Sequence, residues 1–186
     1  KPPNFSQKKE AGRSMTDDHP DRYVVVGVTP RQPVAVLQHA ARFARHFEAV
    51  LVCANVDPGS YVVAEHPDGS IEARPIDPDL PDWTSSPFDG DLANRIRMIA
   101  LEEGVRVEFR ELAGEVAHAL GRLGDILHAE MIVVGSRHRG VRSTVQEFLG
   151  GSVAAHLAHR QHRPVVVIPL SPVPAEEPLP WQGHKS

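Results

Sequence analysis

The sequence is short of cysteine, of net charge and of long hydrophobic runs, and each shortage narrows what the protein can be. Its one cysteine, Cys53, excludes a disulfide framework, and its place inside an apolar run reads as a small buried hydrophobe rather than a reactive thiol. A reducing compartment fits best, so a cytoplasmic protein is expected. No stretch is apolar enough for long enough to span a bilayer, and no signal-peptide hydrophobic region precedes the first strand, so no membrane association is expected. The net charge is -4 with no block of Lys and Arg, which disfavours a nucleic-acid groove or an acidic-lipid surface. What is present, 186 residues at 41% hydrophobic and 24% charged, suffices for one domain with a full core.

Residues 1–20 are polar and without hydrophobic period, and read as a disordered arm in which Met15 is a candidate start and residues 1–14 an extension. A valine run at 23–28 reads as a strand buried on both faces, as in parallel α/β sheets. Helical spacing of Leu37, Ala40, Ala41, Ala44 and Phe47 predicts a crossover helix over 34–47, followed by a buried strand at 49–56. Residues 57–90 hold six prolines and six aspartates without sustained period, and are expected to form a long loop whose Trp83 and Phe88 pack on something. A helix follows at 91–103 with Gly104 as its terminator, then a strand at 105–112 that alternates apolar and charged residues and belongs near a sheet edge. Residues 115–129 form another helix, in which Gly121 and Gly124 permit close packing.

Residues 131–152, MIVVGSRHRGVRSTVQEFLGGS, join an apolar strand to a helix start through a loop rich in glycine and arginine. Such a loop directs backbone N–H groups and a helix N-terminus at one point, which favours an anion such as phosphate. Arg137, Arg139 and Arg142 add positive charge there. A short helix over 152–162 and a strand at 165–168 between Pro164 and Pro169 complete the domain, and residues 171–186 form a Pro-rich tail. The element order implies a Rossmann-like α/β fold: an open parallel five-stranded sheet, order 3-2-1-4-5, with helices on both faces. Ligands then bind at the switch point beside the first strand, where this loop sits.

YVVVGV at 23–28, ELAGEVAHAL at 111–120, and AEMIVVGSRHRG with GGSVAAHLAHRQHRPVVVIPL through 129–170 carry a resemblance to the universal stress protein family over residues 22–170. The resemblance implies a domain at 21–170, a stress-response role, and a site for ATP or another adenine nucleotide with no cofactor required. Carried over, it places phosphate oxygens on Gly135, Ser136, Gly140, Gly151 and Ser152, charge neutralisation on Arg137 or Arg139, and the nucleoside at Thr29 and Val56. It also implies a homodimer through the last strand, Val165, Val166, Val167 and Ile168. The chain departs from the ATP pattern G-x2-G-x9-G-[S/T] in that His138 stands at the middle glycine, and Gly140 leaves ten residues before Gly151 rather than nine. Thr29 stands where ATP-binding relatives usually carry an aspartate. Two readings therefore stay open: a regulatory module that binds an adenine nucleotide or related anion at the 135–152 loop, and a degenerate site acting by dimerisation and by partner binding through 57–90 or the tails.

Catalysis is not expected, with slow nucleotide hydrolysis as the one enzymatic alternative. Ser136 and His138 lack an orienting carboxylate and a G-x-S-x-G elbow. His156, His159 and His162 are spaced by three, which turns 162 well away from 156 on a helix, so no metal site is expected.

Overall fold

The valine run does become the sheet's central strand, β1 (Tyr23–Val28), in a computed structural model that describes residues 21–30, 32–77, 88, 90–136 and 153–170. It is followed by α1 (Val34–His46), β2 (Val50–Asp57), β3 (Ser60–Glu65), β4 (Ile71–Pro75), α2 (Gly90–Glu103), β5 (Val107–Ala113), α3 (Val116–Ile126), β6 (Met131–Gly135), α4 (Val153–Arg160) and β7 (Val165–Ile168). The main sheet is ordered β5-β2-β1-β6-β7, and each of its neighbouring pairs is parallel. With β3 and β4 set aside this is the expected 3-2-1-4-5 order. The switch point lies between β1 and β6.

Both faces of the sheet are covered, which is why its central strands are apolar without alternation. Val24, Val26, Leu51, Cys53 and Val133 face one cluster with α1 and α2, whereas Val25, Val52, Ala54, Ile132 and Val134 face a second with α3 and α4. Arg42 and Arg45 of α1 both bond Glu103 of α2, tying the helices of one face. Gly124 permits close packing as expected, since a Cβ there would stand 3.1 Å from Ile132 Cδ1; Gly121 meets only ordinary contacts.

Helices α1, α2 and α3 end alike, each with a left-handed residue whose flanking N–H groups close on the last turn. Ala49 N–H reaches Ala44 O, Val105 N–H reaches Ala100 O and Ala129 N–H reaches Gly124 O. Gly104 (φ 68°) suits that conformation, while Glu48 (φ 52°) and His128 (φ 49°) adopt it against a Cβ penalty.

The 57–90 segment departs from expectation. In place of a loop without secondary structure, its first half is an antiparallel hairpin, with Tyr61 opposite Arg74 and Val62 opposite Ala73. The turn is Pro67-Asp68-Gly69: Asp68 accepts from Ser70 N–H and hydroxyl, and Gly69 is left-handed at φ 79°. Its tip folds back on α3, where a Cβ on Gly69 would come within 2.6 Å of Leu123 Cδ1 and Glu65 takes a forked contact from Arg122. Phe88, expected to pack, meets Phe109 of β5 edge-on at 4.9 Å between ring centres. Trp83, the 1–20 arm and the 171–186 tail lie outside the described residues.

Candidate functional site

Three strand ends converge on one cleft of about 360 Å³. From β1 come Gly27, Val28 and the following Thr29; from β2, Ala54 and Val56; from β6, Val134 and Gly135, with Ser136 beyond. The site lies outside the carboxyl ends of the strands at the switch point, as open α/β sheets require. Val116 and Leu120 of α3, Val153 of α4 and Leu170 complete an apolar wall. The polar side chains of this described lining are Thr29, Gln32 and Ser136. Val56 also borders a second hollow of about 580 Å³ beyond β2, walled by Ser60, Ile71, Ala73 and Pro75 of the hairpin region and by Glu111 of β5.

Local chemistry shapes the β1 rim. Pro30 and Pro33 prevent the strand from running on, and the turn between them is closed by Gln32. Its Nε2 donates to Gly27 O at 3.1 Å and its Oε1 accepts from Thr29 N–H at 3.1 Å; its own N–H donates to Thr29 O at 3.0 Å. Only 8% exposed, Gln32 is among the few buried polar residues of the described chain. From outside, Arg95 Nη2 of α2 holds Pro30 O at 3.0 Å.

The β6 rim is held differently. Ser136 N–H donates to Ile168 O at 2.8 Å, and Ser136 Oγ accepts from Leu170 N–H at 2.8 Å. A Cβ on Gly135 would stand 3.1 Å from Leu170 Cδ1 and 3.2 Å from Val36 Cγ2, so glycine lets the Leu170 side chain pack directly against the cleft rim. This modifies the part expected of Ser136. Its backbone N–H is spent within the protein, and only the hydroxyl proton remains for a ligand oxygen.

Of the residues singled out in the sequence, Thr29, Val56, Gly135 and Ser136 are brought together here. Arg137, His138, Arg139, Gly140, Arg142, Gly151 and Ser152 lie outside the described residues. Val165, Val166, Val167 and Ile168 form β7 at the end of the sheet order, with Val167 45% exposed and Ile168 buried. Cys53 is wholly buried in mid-strand, and burial pushes its thiol far above the ordinary value, away from the reactive thiolate. Among the described residues no three His, Cys, Asp or Glu side chains are grouped to hold a metal ion, and no helix is long and apolar enough to cross a membrane. Gln32 and Leu170 were not singled out. A Thr-Pro-Arg-Gln turn ahead of a helix is the only sequence trace of the former, and nothing marks the latter.

Beside the cleft, Glu115 caps α3 by accepting from Ala117 N–H at 2.9 Å and His118 N–H at 2.8 Å. Burial works against its ionisation, but those two donors, with His156 and Arg160 nearby, outweigh it and hold the carboxyl below its ordinary range.

Residues 22–169 match the family model described as "Universal stress protein family". Among solved structures, a universal stress protein in complex with cAMP is 24% identical with a TM-score of 0.54, and the alignment covers 82% of this chain and 100% of that one. A universal stress protein from Archaeoglobus fulgidus is 19% identical (TM-score 0.50; 79% of this chain, 93% of that one). UspA from Lactobacillus plantarum is 16% identical (TM-score 0.50; 81% and 99%). At these identities the likeness is one of fold. Comparison with curated protein sequences finds no match.

Proposed function

The chain belongs to the universal stress protein family, and from that premise we propose that it is a non-catalytic cytoplasmic regulatory module that binds an adenine nucleotide in the switch-point cleft. The observation that carries this reading is the convergence of Thr29, Val56, Gly135 and Ser136 from three strand ends on one hollow. The hollow has an apolar side at Val56, Val116 and Leu120 that suits a flat base, and a glycine-and-hydroxyl side at Gly135 and Ser136 that suits phosphate. Support of a weaker kind comes from the relative of the same fold solved with cAMP. Calorimetry with ATP, ADP, AMP and cyclic AMP tests the reading: saturable heat with at least one is expected, and no heat at millimolar ligand overturns it. Phosphate release from ATP above the level of a Gly151→Asp control would overturn the non-catalytic part.

The module acts as a homodimer. β7 closes one side of the sheet order with an apolar, partly exposed strand, and pairing with its twofold mate satisfies that edge. A second reading, docking of a protein partner, is favoured by one observation on the hairpin: Tyr61, Val62 and Val63 are each close to half exposed and Ile76 is 64% exposed. Tyr61→Ser with Val63→Ser should abolish recovery of a specific partner while leaving the fold intact; unchanged recovery counts against the hairpin.

A further inference from the structure

The nucleotide reading can be taken one step further, because strand order fixes which part of the ligand meets which strand. Across the carboxyl ends the strands run β2, β1, β6, each about 4.8 Å from the next. Val56 and Gly135 therefore stand at opposite ends of the cleft, with the end of β1 between them. A nucleotide with phosphate at Gly135 and Ser136 and base against Val56 must lay its sugar over Thr29 and Gln32. Those two residues, with Ser136 at the phosphate end, supply the polar side chains of the described lining.

A carboxamide has two N–H donors and two acceptor lone pairs. In Gln32 one N–H goes to Gly27 O, and Oε1 takes Thr29 N–H, with the Thr29 hydroxyl at a long 3.5 Å. The second N–H has no partner among the described residues, although Gln32 is 92% buried and lines the cleft. The Thr29 side chain is exposed at the mouth and held only loosely. Burial of the amide makes its orientation rigid: reversing it would set Oε1 against Gly27 O and the N–H groups against Thr29 N–H. One donor is thus left at a fixed place above β1, with a hydroxyl beside it.

We propose that Gln32 and Thr29 are the sugar-recognition pair of this cleft, with Gln32 donating to a ribose hydroxyl and Thr29 sharing that contact, so that the site favours AMP over the analogue that lacks that hydroxyl, 2′-deoxy or 3′-deoxy. The inference rests on the nucleotide reading above, and its test separates the two. Calorimetric affinities for AMP, 2′-deoxy-AMP and 3′-deoxy-AMP are measured on the full chain and on Gln32→Met and Thr29→Val, with circular dichroism as the check on folding. The unsubstituted chain should bind at least one deoxy analogue about three- to ten-fold more weakly than AMP, the value of one hydrogen bond. Gln32→Met should bring that ratio to about one, and Thr29→Val should lower it part of the way. A residue that merely braces the turn would weaken all three ligands in proportion and leave the ratio standing; that result overturns the inference. Equal binding of the three by the unsubstituted chain overturns it alone, whereas no binding of any overturns the nucleotide reading with it. If Gln32→Met does not fold, Thr29→Val decides: a reduced ratio supports the pair, and an unchanged ratio overturns it.

Discussion

Replacing Gly135 by alanine tests the claim that the chain after β7 is packed directly onto the cleft rim. The added Cβ would meet Leu170 Cδ1 at 3.1 Å and Val36 Cγ2 at 3.2 Å, both closer than ordinary contact, with Leu170 Cγ at an ordinary 3.5 Å. Gly135 carries no positive φ, so the backbone accepts alanine and the effect is purely one of overpacking, about 1–3 kcal/mol. In a domain of this size that lowers Tm by about 2–4 °C for each kcal/mol. Val36 is wholly buried, so relief must come from Leu170, whose N–H would be drawn off Ser136 Oγ. Leu170→Ala alone removes a half-buried side chain and should cost about 1–2 kcal/mol, below the range for fully buried leucines. The two changes share one contact, so the double variant should be more stable than the sum of the single losses by at least about 0.5 kcal/mol. Urea denaturation of the four proteins measures this. Additive losses would refute the packing argument, because they would mean that the methyl group at 135 and the side chain at 170 do not meet.

Three further expectations concern the helix ends and the last strand. Glu48→Gly and His128→Gly should each stabilise the protein by roughly 0.5–1 kcal/mol in urea denaturation, since glycine escapes the left-handed penalty of about 1–2 kcal/mol and returns part of it as unfolded-state entropy; a loss of stability would show that those side chains make compensating contacts. Glu115→Ala should cost about 1 kcal/mol through the lost cap of α3. The folded carboxyl titrates below its ordinary value of 4.5, so the charged-cap contribution is complete above that value and disappears as pH falls through the lowered one. The gap between the unsubstituted chain and Glu115→Gln should therefore narrow on acidification, and a constant gap would argue against a charged cap. Val167→Lys, at the exposed position of β7, should convert a dimer to a monomer by light scattering with little change in Tm; a chain already monomeric before the change would refute pairing through β7.

Periodicity located most of the architecture because it reports burial, and burial of an element face is written locally. The valine run at 23–28 and the apolar strands at 49–56 and 131–135 could only be strands covered on both sides, and the helix stripes named the faces that cover them. The hairpin was lost for the opposite reason. Its strands are mostly exposed, so YVVAE and IEARP lack a clean alternation, and the signal that marked it was the Pro-Asp-Gly turn between them. Prolines and aspartates counted over the whole segment masked that local cue.

The sequence by itself determined the fold class, the strand order and the place of the cleft, and its resemblance to the universal stress protein family pointed to four of the residues that border it: Thr29, Val56, Gly135 and Ser136. Only the tertiary structure decided what those residues are free to do. Ser136 spends its N–H on Ile168 and its oxygen on Leu170, 34 positions along the chain, and the β1 rim takes its shape from a buried glutamine that no hydrophobic period reveals. The physical reason is the range of the two kinds of information. An apolar pattern needs only its own element to be read, whereas a hydrogen bond is committed to whichever distant group the folded chain brings within about 3 Å.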